Sequence, residues 1–131
     1  MDQIVYTSII PLNPRTKKNS QKICKNKHTG KRWIDQSDIY KQYELDCGFM
    51  LKKIKKPIDY PINVKAVYYR QTKHRVDLPN LNNALLDILV KYGILKDDDC
   101  KIVVSTDGSR VYFDKENPRT EIEITRINDI I

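Results

Sequence analysis

Five aspartates, Asp77, Asp87, Asp97, Asp98 and Asp99, fall in the single stretch VDLPNLNNALLDILVKYGILKDDD that begins at Val76. A hard divalent cation such as Mg²⁺ takes one or two carboxylates and fills its remaining positions with water and phosphate oxygens. Bound in that way, it neutralises phosphate charge and activates water for in-line attack. Carboxylates delivered from separate segments are the donors this chemistry needs. The same residues have a plainer use. Asp77 can cap a helix or favour its positive end, and Asp97 to Asp99 can form a solvated turn. Spacing alone leaves both readings open.

The elements that must position these groups are legible. A helix is expected from Pro79 to Tyr92, with Pro preorganised for a first turn and Gly93 placed for a left-handed C-terminal residue. On a wheel of 100° per residue, Leu81, Leu85, Ile88 and Tyr92 form an apolar stripe. Asn80, Asn83, Asp87 and Lys91 align on another face. Asp77 then precedes the helix, and Asp97 to Asp99 follow it closely.

Before the helix, Ile62 to Arg70 alternates Ile62, Val64, Ala66 and Tyr68 toward one side, the period of a strand. Tyr68 and Tyr69 therefore face opposite ways, so at least one packs internally. A first strand is expected over Ile4 to Ile10, ending at Pro11. A basic loop and hairpin follow, turning near His28 to Gly30. A helix is expected from Ser37 to Lys53, capped by Ser37, with Ile39, Tyr43, Asp46 or Cys47, and Met50 on its inner face. The C-terminal part reads as KIVVSTD, a turn at Gly108, RVYF, a polar loop DKENP and a strand TEIEIT. The expected fold is one α+β domain over residues 1–131, a small mixed β-sheet packed with two main helices.

Charge narrows the partners. The 131 residues carry a net charge of +7, but residues 1–76 hold +11 (17 Lys/Arg, 6 Asp/Glu) and residues 77–131 hold −4 (7 Lys/Arg, 11 Asp/Glu). A basic half beside an acidic locus suggests a polyanion-binding surface, nucleic acid being the commonest polyanion for such a chain. A well-solvated lysine-rich surface is the alternative. Met1 is followed by no charged and apolar leader, and no run of about 18 apolar residues occurs, so a cytoplasmic protein away from the membrane is expected. Cys24, Cys47 and Cys100 form no C-x-x-C pair, and are expected to be reduced, buried fillers rather than a zinc site or a disulfide framework.

The stretch DLPNLNNALLDILVKYGILKDDD resembles the signature of the RusA-like Holliday-junction resolvases, D-L-D-N-L-x-K-A-x-x-D-A-L, a short link, then D-D. The early PRTKKNSQ, the helix with YKQYELDC and the late DGSRVYFDKENPRTEI look like phage and prophage members from Gram-positive bacteria. The resemblance implies a homodimer that binds branched DNA and cuts four-way junctions by paired, Mg²⁺-dependent nicks, Mn²⁺ being a possible substitute. It implies no membrane partner and no small-molecule substrate.

Carried over by position, the resemblance makes Asp77 and Asp98 metal ligands, with Asp97 beside them and Asp87 among the catalytic candidates. Asn80 and Asp87 match further signature positions. Two positions depart. The family's second aspartate falls on Pro79, which has no ligand, and its usual lysine falls on Asn83, which has no charge. Lys73, Arg75 or Lys91 could then supply the positive charge, or the chain binds junctions without cutting them efficiently. A basic RNA-binding domain is the third reading, supported by charge alone.

Lys17, Lys18 and Asn19 lie in a loop that the resemblance places near DNA. With Lys73, Arg75, Asn80, Asn83 and Lys91 they make up the expected DNA-binding set. His28 and His74 are lone histidines in basic stretches, suited to the surface or to a phosphate contact. Trp33 anchors the hairpin or stacks on a base. Asp114, Lys115, Glu116, Asn117 and Arg119 resemble the family's residues there and read as turn chemistry, with a dimer or DNA contact as the other use.

Overall fold

The structure, a computed structural model, describes residues 3–17, 21–36 and 38–128. The elements in chain order are β1 (Gln3–Ile10), β2 (Gln21–Lys25), β3 (Arg32–Gln36), α1 (Asp38–Met50), β4 (Ile62–Arg70), α2 (Leu78–Lys91), β5 (Val103–Ser105), β6 (Arg110–Phe113) and β7 (Arg119–Arg126). β2 and β3 form the expected hairpin, turning through Gly30 at φ 74°.

The main sheet is mixed. β7 lies between β1 and β4 and is antiparallel to both. Because β7 occupies one edge of β4 along its length, β5 and β6 share the other edge, both parallel to β4. β5 pairs near Ile62, and β6 pairs with Val67 to Arg70. Parallel pairing requires a crossover, and α2 supplies it. Between β5 and β6 the chain leaves the edge at Thr106 to Ser109. Asn63 pins that excursion, its Oδ1 accepting bonds from the Asp107 N–H (2.7 Å) and the Ser105 hydroxyl (2.6 Å).

Alternation along β4 buries Ile62, Val64, Ala66 and Tyr68, while β7 adds Ile122 and Ile124. Both helices contribute to the core on this side of the sheet: α2 through Leu81, Ala84, Leu85, Ile88 and Leu89, α1 through Tyr40, Tyr43 and Cys47. Each large aliphatic buried here is worth about 1.5–3 kcal/mol. The Tyr68 hydroxyl donates to Asn82 Oδ1 at 2.8 Å, which fixes the rotation of α2 over β4. The alternate residues of β4 and β7 form a second, partly exposed sheet face.

α1 differs from the sequence expectation. It ends at Met50 rather than Lys53, and its inner face runs through Tyr40, Tyr43, Cys47 and Gly48, while Ile39 and Met50 are exposed. The helix is apolar on several sides, so spacing allowed two neighbouring stripes, and tyrosine rather than isoleucine found the core. Clustered lysines after Met50 repel one another, and Pro57 bars continuation. The proposed Ser37 cap lies outside the described residues. Of the three cysteines only Cys47 is buried, where burial pushes its thiol up to about 12; Cys24 is half-buried and Cys100 exposed. Among the described residues, no helix is long and apolar enough to cross a membrane.

Candidate active site

α2 starts one residue earlier than expected, with Asp77 at its N-cap and Pro79 in its first turn. Asp77 does not perform the capping role. Its side chain makes no cap hydrogen bond and is exposed, reaching only Asn80 Nδ2 at 3.5 Å. The carboxylate therefore remains available to a ligand.

At the other end, Gly93 adopts φ 80° and the N–H groups of Ile94 and Leu95 return to the Leu89 carbonyl. Lys96 N–H then bonds the Ile58 carbonyl, which directs the three aspartates out into solvent. They divide their work. Asp99 shapes the turn, its carboxylate accepting from the Lys101 N–H (2.9 Å) and its carbonyl from Ile102 and Val103. Asp97 accepts from the Asp98 N–H at 2.7 Å. Asp98 makes no such turn contact. Its carboxyl is held above the ordinary aspartate value by partial burial, then by a hydrogen bond with Asp97 and the negative charge of Asp87. The negative charges of Asp87 and Asp97 thus both bear on Asp98.

Lys17 answers part of that repulsion, its Nζ lying 2.6 Å from Asp87 Oδ2 with both side chains partly exposed. Sequence spacing does not predict this pair, because the residues lie 70 positions apart in the chain. Lys18 and Asn19 lie outside the described residues. Lys91 pairs with Glu44 of α1, and this contact holds its amine more firmly protonated. Its charge is already engaged, and Glu44 was not anticipated.

Asp87, the α2 carboxylate that Asp98 senses, lies ten residues beyond Asp77, about 15 Å along a helix rising 1.5 Å per residue. Among the described residues, no three His, Cys, Asp or Glu side chains converge as a metal cluster. Mg²⁺, however, needs only one or two carboxylates. Asp97 and Asp98 are hard, adjacent, exposed donors whose repulsion a cation would relieve, so the donor set at this end fits such an ion.

Pro79 and Asn83 line a shallow groove of about 300 Å³ with Asn82, Leu86 and Thr106. Lys73 and Arg75 lie before Asp77, and Lys73 Nζ sits 5.0 Å from the Phe113 ring centroid. His74 is exposed and offers its carbonyl to Arg70 Nη1 at 2.8 Å. A larger groove of about 460 Å³, between Leu12 to Arg15 and α1, contains none of the aspartates just described.

Residues 11–125 match the sequence profile of the family described as endodeoxyribonuclease RusA. The chain belongs to the RusA endodeoxyribonuclease family. No curated protein matches the sequence. RusA endonucleases resolve Holliday junctions, so branched DNA is the partner of this family, and the family generally depends on a divalent metal. The α+β arrangement, a mixed sheet with two helices among the described residues, agrees with the expected fold.

The loop before β7 gains a definite role. Asp114 accepts from the Asn117 N–H and from Arg119 Nη1, which hold its carboxyl below the ordinary value. Arg119 also bonds Glu121 and lies 3.7 Å over the Tyr69 ring. The sequence suggested a turn, or a dimer or DNA contact, and did not single out the stack of Arg119 on Tyr69.

Proposed function

We propose that this chain is a Mg²⁺-dependent resolvase, acting as a homodimer that nicks four-way DNA junctions in pairs, with each site built across the dimer. In this reading Asp77 of one subunit joins Asp97 and Asp98 of the partner subunit, and Asp87 adjusts the charge beside them. The observation that carries it is that Asp98 senses Asp87, which lies about 15 Å along α2 from Asp77, while the Asp77 carboxylate makes no capping bond. Two-fold symmetry in the protein would match the near two-fold symmetry of the junction.

When bound, the cation neutralises phosphate charge and activates water. The chain's own residues orient the DNA. Lys73 and Arg75 hold the backbone beside Asp77, giving affinity and salt dependence without sequence choice. Lys17, paired with Asp87, meets the phosphate backbone, and Lys18 and Asn19 belong with it to the proposed DNA-binding set. Asn80 and Asn83 offer neutral donors and acceptors along the helix. With Asn83 uncharged and Lys91 tied to Glu44, the positive charge nearest the reaction falls to Lys17, Lys73 or Arg75. Mn²⁺ can replace Mg²⁺ at such oxygen donors.

The test is cleavage of a labelled four-way junction beside a linear duplex of matched sequence, with Asp77→Asn as control. Paired nicks on the junction alone, absent in the control, are expected. Pro79 supports a second reading, because it removes a carboxylate from the helix start. Tight junction binding with no nicks in Mg²⁺ or Mn²⁺ would establish a binding module instead. Preference for RNA over a junction of equal length would remove both.

A further inference from the structure

The edge strand β6 carries a second constellation. Arg119 of β7, Tyr69 of β4 and Tyr112 of β6 stand directly opposite one another in register. The Arg119 guanidinium covers Tyr69 at 3.7 Å, and Tyr69 stacks on Tyr112 with centroids 5.5 Å apart and planes 27° from parallel. The row ends there, because β6 is the edge. Tyr112 is 45% exposed and Phe113 beside it 46%, large apolar surface at a place where a soluble sheet usually shows charge.

A groove of about 320 Å³ opens at this edge, at the small end of ligand pockets, which run from roughly 300 to 1,000 Å³. Arg70, Lys73, His74 and Arg75 line it with Val111, Tyr112 and Phe113, and no described lining residue is acidic. Arg70 is close enough to Arg15 for the two charges to repel. Burial and that repulsion hold its guanidinium below the usual arginine value. Its Nε is buried with no hydrogen-bond partner. Concentrated cations with no acidic residue among the described lining call for an anion, and exposed rings at the end of a stack call for another flat ring. A nucleotide supplies both.

We propose that the β6 edge receives one unpaired nucleotide of a DNA strand, its base stacked on Tyr112 and its phosphate held by Arg70, Lys73 and Arg75. Arg75 stands two residues before Asp77, so the captured nucleotide lies beside the strand presented to that carboxylate. This inference rests on the junction-cutting reading and adds to it a site for a base displaced at the branch.

The test compares two four-way junctions in EDTA, one carrying a single unpaired thymine at the branch and the other an abasic nucleotide there. Stacking predicts that the thymine junction binds roughly 5- to 100-fold more tightly. Tyr112→Ala should bring that ratio close to one, and Tyr112→Phe should keep it. Lys73→Ala should weaken both junctions and reduce the salt slope by about one. A wild-type ratio of one, with junction still preferred over duplex, overturns the nucleotide site and spares the resolvase reading. No preference for junction over duplex removes both. A change in the mass of Tyr112→Ala in solution, with an unchanged melting curve, would make β6 a contact between copies and overturn the proposal.

Discussion

The two ends of α2 are built for opposite charges. At the N-terminal end stand Asp77, exposed and free of capping duty, and a groove whose lining is basic and aromatic. At the C-terminal end stand Asp87, Asp97 and Asp98, close enough to raise the pKa of Asp98, with Lys17 drawn in against Asp87. The fixing differs too. The C-terminal end is clamped to α1 by Lys91 with Glu44 and by Tyr92 against Gly48, whereas the N-terminal end is reached through the loop from β4. The two ends of α2 stand about 20 Å apart, and the proposed dimeric site would use one end from each subunit.

The largest expected effect breaks the comparison outright. Asp77→Asn and Asp98→Asn should each lower junction cleavage by about 10³-fold, equivalent to roughly 4 kcal/mol of transition-state stabilisation, while leaving junction binding intact or tighter. Mixing the two variants sharpens it. If the site spans the dimer, half of the sites in a mixed dimer combine both wild-type aspartates, and single nicks should return. If it lies within one chain, every site retains one substitution and no cleavage is regained.

Next in size is Gly48→Ala. A Cβ at that position would lie 2.3 Å from the Tyr92 ring, so α1 and α2 must separate or the ring must leave. A loss of about 1–3 kcal/mol is expected, seen as a melting temperature lower by roughly 3–15 °C. An unchanged melting curve would show that Tyr92 is not held and that the clamp is looser than its contacts suggest.

Lys17→Ala should act by a few-fold. The ion pair is partly exposed and worth at most about 1 kcal/mol. Its removal frees Asp87 and should lower the half-saturating Mg²⁺ concentration, while weakening DNA binding most at low salt. A higher Mg²⁺ requirement would instead show that Lys17 organises the carboxylates.

The smallest effect lies beside the groove. Asp114 has its folded pKa depressed below 3.8 by hydrogen bonds from Asn117 and Arg119, so its contribution to stability is present above that value and is lost as pH falls through the folded pKa. The difference in melting temperature between wild type and Asp114→Asn should be constant near neutrality and close below about pH 3.8. A difference that persists unchanged in acid would mean that the carboxylate charge is not what orders the loop.

Much of this was legible from local pattern. Strict alternation gave β4 to the residue, and Pro79 with Gly93 bracketed α2 to within a residue, because periodicity and terminal chemistry act over a few positions. The order of motifs also pointed to the family that the match over residues 11–125 establishes. α1 was harder, since several of its sides are apolar and only packing against the sheet selects Tyr40 and Cys47 over Ile39 and Met50.

The sequence by itself determined which residues carry charge and which segments become strands and helices, because those are properties of short windows. Only the tertiary structure decided what meets what: Lys17 with Asp87, Lys91 with Glu44, and Arg119, Tyr69 and Tyr112 in one row. It also decided that Asp98 comes within reach of Asp87, ten residues further along α2 than Asp77. The physical reason is that each residue of a helix lies about 1.5 Å further along its axis, so one short segment delivers its side chains to partners drawn from distant parts of the chain.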